Sequence, residues 1–296
     1  MYTLTKQEMQ RLRGAQPFMP EFPDAEVLSV VFRTDPAFVA EVVPRPLRPA
    51  DEPLAQAFVA RYPRTNFGVT YNEAAVFVPV THRGEPGAYC LTMPVDDDMA
   101  MIGGREQFGF PKKIAEITLD RDGDTVIGRV VRKGSEILTL EAELIEAADL
   151  DQNRPPGMRP RSRDLDGQPC YPMTCFLFKA FPSPTGRSFD YLPRLVREVV
   201  LMRPGDDLRT GAGKIAFHSS ADDPLGDIPV RDVVGITHGT WANTMLPAKV
   251  VGRAINLPGY LRHTATRADG MADLLEHAYP RDRRERRRTR RAIRQY

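Results

Sequence analysis

Two adjacent lysines, Lys112 and Lys113, close the stretch GREQFGFPKK (104–113), just after two phenylalanines, a glycine and a proline. An ammonium group gains nothing from apolar company unless its proton is meant to leave. A lysine amine with an ordinary pKa near ~10.4 is neutral in only about one molecule in 2,500 at pH 7. Desolvation penalises the charged form and can lower that value by ~3–5 units, and a neighbouring cation pushes the same way. Once neutral, the amine can condense with a ketone to an iminium ion. That cation withdraws electrons from the adjacent carbon, so a bond there to CO2 or to a proton can break. If the chain runs extended through Pro111, Lys112, Lys113 and Ile114, successive side chains point to opposite faces, and only one ammonium can enter a pocket. The plainer alternative is a solvated turn after Pro111.

Such a lysine needs a rigid surround, and the sequence supplies short strands for it. YNEAAVFVPV (71–80), GAYCLTMPV (87–95), DTVIGRVVR (124–132) and EILTLEAELI (136–145) are strand-like, with RDGD and RKGS as turns between them. Residues 27–32 form a further apolar strand. A helix is expected over 36–43, because Thr34-Asp35-Pro36 offers a cap and a proline at the first helical position. Shorter helices are expected at 5–13 and, behind the acidic Asp96-Asp97-Asp98, at 99–102. Residues 151–169, rich in Pro, Arg, Asp and Gly, read as a long loop. CFLFKAF, YLPRLVREVVLM, KIAFHSS and VVGITHGTWANTM follow it. The second of these fits helix or strand by its period.

The chain has 296 residues and is 42% hydrophobic, enough for a sizeable core. Its net charge of +2 is too small to imply a polyanionic partner for the body of the protein. The segment 281–296, RDRRERRRTRRAIRQY, stands apart: nine arginines against two acids give it +7 and leave the remainder near −5. It reads as a solvated tail on a single domain spanning 1–280, with subunit contact or weak nucleic-acid binding as alternatives. Cys90, Cys170 and Cys175 form no CxxC and have no histidine at zinc-ligand spacing, so reduced thiols and no metal site are expected. The N-terminal stretch is polar, and no run approaches the roughly 20 apolar residues of a membrane span. A cytoplasmic protein without a membrane partner is the expectation.

GREQFGFPKK resembles the signature of the acetoacetate decarboxylase family, in which Gly-Arg-Glu leads into aromatic-Pro-Lys-Lys. VVFRTDP (30–36), VVPRPL (42–47), YNEAAVFVPV and DDPLGDIPVRDVVGITHG (222–239) are similar to its other segments, in order along most of the chain. The resemblance implies an α+β, predominantly antiparallel fold: a cone-shaped β-barrel with a few short helices, the pocket inside it. It implies Lys112 as the Schiff-base lysine, Glu73 as a pocket carboxylate, Arg33 as a pocket cation and Lys113 as a neighbour that tunes Lys112. Activation of the lysine by a cationic neighbour is that family's own known case and comes with the resemblance. The family also implies a keto-acid substrate, a homo-oligomer and no cofactor.

One departure bears on substrate. The family's decarboxylase has a second pocket glutamate upstream of the one matched by Glu73, yet residues 55–70, AQAFVARYPRTNFGVT, contain no acid. Phe58 or a neighbour stands there, so the pocket wall should be more apolar and suit a larger substrate. The leading expectation is decarboxylation of a β-keto acid. The alternatives are an aldolase-dehydratase joining pyruvate to an aldehyde by the same iminium chemistry, and a non-catalytic small-molecule-binding barrel.

Overall fold

The computed structural model describes residues 2–15, 17–151, 154–184 and 188–269. The Arg-rich segment 281–296 lies outside them. Seven strands close into a barrel: Glu21–Arg33, Leu54–Tyr62, Tyr71–His82, Glu85–Val95, Pro169–Lys179, Arg194–Pro204 and Asp232–Met245. Neighbours in this ring pair antiparallel, except Glu85–Val95 with Pro169–Lys179, which run parallel. Closure comes from the pairing of Arg194–Pro204 with Asp232–Met245.

From the Asp232–Met245 strand the sheet continues through Arg209–Phe217, Ser135–Ala147, Thr125–Arg132 and Glu116–Asp122, folding back over the outside of the barrel. Barrel strands are therefore buried on both faces, and several read as nearly unbroken apolar runs rather than as alternating ones. In Tyr71–His82, Ala74, Val76, Val78 and Val80 pack outward against Leu119, Val126, Val130 and Leu140 of the covering layer. Ala75 and Phe77 face inward, with Ala88, Cys90, Cys175, Leu177 and Val196.

The expected elements are present, most with modest shifts at their ends; the strand expected at 27–32 runs over Glu21–Arg33, and Leu54–Tyr62 and Glu116–Asp122 are strands without a counterpart in the sequence reading. Thr5 caps the helix Lys6–Gly14 through a capping box with Glu8, and Asp35 caps Pro36–Val42. The ambiguous stretch YLPRLVREVVLM belongs to the strand Arg194–Pro204: β-branched residues fill both of its buried faces. Within 151–169 the described chain is largely irregular, with one short strand at Ser162–Arg163. Among the described residues no helix is long and apolar enough to cross a membrane.

Candidate active site

The two lysines sit on the short strand Lys112–Ile114, which runs parallel to the end of Glu85–Val95 with Lys112 opposite Met93. It follows the helix Asp98–Gly103, capped by Asp97, and a π-helical turn at Gly104–Phe108. π-Turns are rare and concentrate at functional sites. Here the turn lies against the lysine stem: a Cβ on Gly104 would come within 2.6 Å of Lys112 Cδ and Cε. Gly109 ends the turn at φ +93°, and a Cβ there would meet the Lys179 backbone at 2.7 Å. Gly109 is thus required by its backbone conformation and by close approach to a backbone, whereas at Gly104 an added methyl would displace the lysine stem. Arg105 fixes the segment from outside, donating to the carbonyl oxygens of Lys112 (2.7 Å) and Arg267 (3.0 Å).

Lys112 points into the barrel. Its Nζ lies 2.7 Å from Oε2 of Glu73, and both side chains are only 7% exposed. Tyr62 donates to the other oxygen, Oε1, at 3.3 Å. The ring of Tyr71 lies 5.3 Å from Nζ and that of Phe110 lies 5.9 Å away, within cation–π range. Burial first, then the charge on Glu73, push the Tyr62 and Tyr71 phenols well above their ordinary range. Both therefore stay protonated and can act only as neutral hydrogen-bonding groups at physiological pH. A cleft of about 880 Å³ is lined by Lys112, Lys113, Met101, Arg105, Arg132 and Asp269, among others.

Lys113 points the other way. Its Nζ donates to Asp222 O (2.9 Å) and Asp223 Oδ1 (3.0 Å) and lies 3.2 Å from Asp269 Oδ1. Arg132 binds the same two acids, at 2.7 Å to Asp223 Oδ2 and 2.6 Å to Asp269 Oδ1, and also donates to Ile114 O. Lys133 closes the cluster onto Asp222 and Asp269. Three cations thus face three carboxylates, and the charge of Lys113 is compensated locally.

Of the residues singled out from sequence, Lys112 and Glu73 are in contact. Phe58 faces the barrel interior one rung from Glu73: it pairs with Ala75, and its ring stacks on Phe77 with centroids 6.1 Å apart. Arg33 is not brought to this cluster. Glu73 pairs through Ala60 with Val27, six residues along the strand from Arg33. Arg33 lies at that far end, 46% exposed and bridged to Asp232 at 3.5 Å. Arg33 therefore does not sit beside Lys112 and Glu73, because six residues of extended strand separate the two levels by roughly 20 Å.

Tyr62, Tyr71, Arg105, Arg132 and Asp223 went unread in the sequence. Tyr71 carried a signal, since it stands two residues before Glu73 on a strand and so shares its face. Asp223 lies inside the recognised DDPLGDIPV segment, but its partnership with Lys113 across 110 residues leaves no local trace. Among the described residues, no group of three or more His, Cys, Asp or Glu side chains is placed to hold a metal ion.

The family model described as acetoacetate decarboxylase (ADC) matches residues 8–254. The chain belongs to the acetoacetate decarboxylase family. It is 33% identical to acetoacetate decarboxylase 2 of Mesorhizobium japonicum over 78% of this chain and 82% of that one. It is 31% identical to the acetoacetate decarboxylase of Acidiphilium cryptum, over 73% and 82%. Among solved structures, an acetoacetate decarboxylase aligns at TM-score 0.69 with 25% identity, over 86% of this chain and 100% of that one. The enduracididine biosynthesis enzyme MppR complexed with pyruvate shares the fold at TM-score 0.64 and 19% identity, over 81% and 93%. The family's barrel is the fold seen here, and the match spans the motif that holds Lys112.

Proposed function

We propose that this chain is a Schiff-base carbon–carbon lyase that decarboxylates a β-keto acid through Lys112. The observation that carries the reading is the buried 2.7 Å contact between Lys112 Nζ and Glu73 Oε2 inside a barrel of the decarboxylase family. A proton passing along that contact leaves the amine neutral and Glu73 protonated. The amine adds to the substrate ketone, and loss of water gives the iminium. The C–CO2 bond then breaks, its electron pair moving into the enamine as CO2 leaves. Glu73, having given its proton to the departing water and taken another from solvent, is positioned to protonate the enamine carbon, and hydrolysis of the new iminium releases the ketone and the lysine. Tyr62 orients the carboxyl, and the rings of Tyr71 and Phe110 can stabilise the iminium charge.

The apolar Phe58 in the wall supports a second reading on the same chemistry, in which the enamine captures an aldehyde instead of a proton. The shared fold with MppR, whose complex holds a condensation product of pyruvate and imidazole 4-carboxaldehyde, is in keeping with it. Borohydride trapping with acetoacetate, larger β-keto acids and pyruvate tests both. A reduced adduct mapped to Lys112 is expected. CO2 release from the β-keto acids then supports decarboxylation, whereas condensation of pyruvate with an aldehyde and no CO2 release supports the second reading. Adducts on other lysines, or on none, would remove both.

A further inference from the structure

Glu198 is a carboxyl outside the Lys112–Glu73 contact. It is fully buried, and neither oxygen has a hydrogen-bond partner of acceptable geometry among the described residues. Its direction follows from register. On Arg194–Pro204 it pairs with Cys175, so the two side chains share a face. Cys175, Val196 and Leu177 belong to the inward-facing cluster with Cys90 and Phe77, and Met202, Met245 and Ala248 pack against it. Arg197, the adjacent residue, points outward and is held by Glu85. Glu198 therefore projects into the barrel from a strand three steps around the ring from the one bearing Glu73, the greatest separation seven strands allow. Cys175 stands between the two carboxyls: burial, then the charge of Glu198, then that of Glu73, push its thiol up.

A buried carboxyl without a partner is costly, and an apolar side chain of similar size would avoid the cost among these methionines and aliphatics. Such a group is accounted for if its partner arrives with the ligand. We propose that Glu198 contacts the substrate, its carboxyl hydrogen-bonding a hydroxyl or carbonyl carried by a keto acid at the end remote from the ketone that Lys112 attacks. This rests on the Schiff-base reading and narrows the substrate class to keto acids with a second polar group. Burial pushes the carboxyl up to about 8 against the pull of the Val199 amide and Arg197, so at pH 7 it is neutral and can donate as well as accept. It also supplies, from a different strand, a second interior carboxyl where the wall at Phe58 has none.

The test compares 3-oxohexanoate with its 5-hydroxy counterpart, reading kcat/KM and the rate at which borohydride traps the adduct on Lys112. The wild-type protein should prefer the hydroxylated acid by about tenfold or more, the worth of one well-placed hydrogen bond. In Glu198→Leu the ratio should fall to near one, and the melting temperature should hold or rise. Glu198→Met gives the same comparison if the leucine variant does not fold. Glu198→Gln, whose amide still donates and accepts, should keep most of the preference. No preference in the wild type, a preference that survives in the leucine variant, or its complete loss in the glutamine variant would each overturn the assignment while an adduct on Lys112 leaves the Schiff-base reading standing. Absence of any adduct on Lys112 in the wild type removes both.

Discussion

Lys112 and Lys113 are neighbours in sequence and occupy opposite electrical worlds. Lys112 meets two aromatic faces and one carboxylate, which also accepts from the Tyr62 phenol, inside the barrel. Lys113 meets two acidic side chains and a carbonyl, in a cluster that also holds Arg132 and Lys133. Among the described residues the first has a single ionised partner, Glu73. The second is locked into a network whose charges cancel. Alternation of side chains on a strand is enough to send two adjacent amines into different surroundings across a single peptide bond. It also weakens the idea that Lys113 acts on Lys112 mainly through its charge, because Asp223 and Asp269 screen that charge at contact distance.

This contrast breaks first at Lys112. Lys112→Ala should abolish borohydride trapping and lower turnover by about a thousandfold or more. The same change strands Glu73 without its cation, so stability should fall by about 3–5 kcal/mol in urea unfolding. Adding Glu73→Gln should return much of that stability without any trapping. A single variant as stable as the wild type would mean that the pair is not the buried contact described above.

Gly104→Ala sharpens the same side. The added methyl overlaps the far end of a flexible side chain, so the fold can tolerate it while the lysine moves. Trapping should slow by about a hundredfold, the expected penalty for roughly 1 Å of misplacement. Its melting temperature should stay near that of the wild type, and a variant that traps normally would show that the stem has room to spare.

On the other side the order of effects reverses. Lys113→Ala should lower stability by about 1–3 kcal/mol, since Asp223 keeps Arg132, and trapping should stay within about tenfold. Burial opposes ionisation of Asp269, and hydrogen bonds from Arg132, Lys133 and Lys113 outweigh it, holding the carboxyl at about 2. That lies below the ~3.9 of an unfolded aspartate. Its contribution is therefore present above about pH 4 and is lost as pH falls toward 2. Asp269→Asn should flatten the stability profile in that window, which acid titration of the fluorescence midpoint reads directly. A profile as steep as the wild type's would assign the acid sensitivity to other carboxylates.

The smallest effect belongs to Arg33. Its exposed position beside Asp232 predicts that Arg33→Gln changes trapping by no more than about twofold. A loss comparable to that of Lys112→Ala would mean that the far end of the strand reaches the chemistry after all.

Most of the strands, two of the caps and the motif around Lys112 were legible because they are local; Leu54–Tyr62 and Glu116–Asp122 were not read. Alternation, Asp-Gly and Lys-Gly turns, and the run of glycine, aromatic, proline and lysine are all written within a dozen residues. The pairing of Phe58 with Ala75 and the inward face of Glu73 also follow from period two once the strands are known. Arg33 was misjudged for a related reason: position in a motif says which strand a residue is on, not how far along the barrel it stands. Of the residues that went unread, Tyr62 and Tyr71 lie near Glu73 in the chain and Arg105 near Lys112, whereas Asp223 meets Lys113 across 110 residues and Glu198 faces Cys175 from another strand. The sequence by itself determined the family and the strand-rich class. Tertiary structure alone decided that Lys112 meets Glu73 inside the barrel while Lys113, equally buried, joins Asp223 and Asp269, which arginine is left outside, and which carboxyl among the described residues is left without a partner. Those outcomes depend on barrel closure and register, which bring distant strands to one interior and leave no mark on the residues between them.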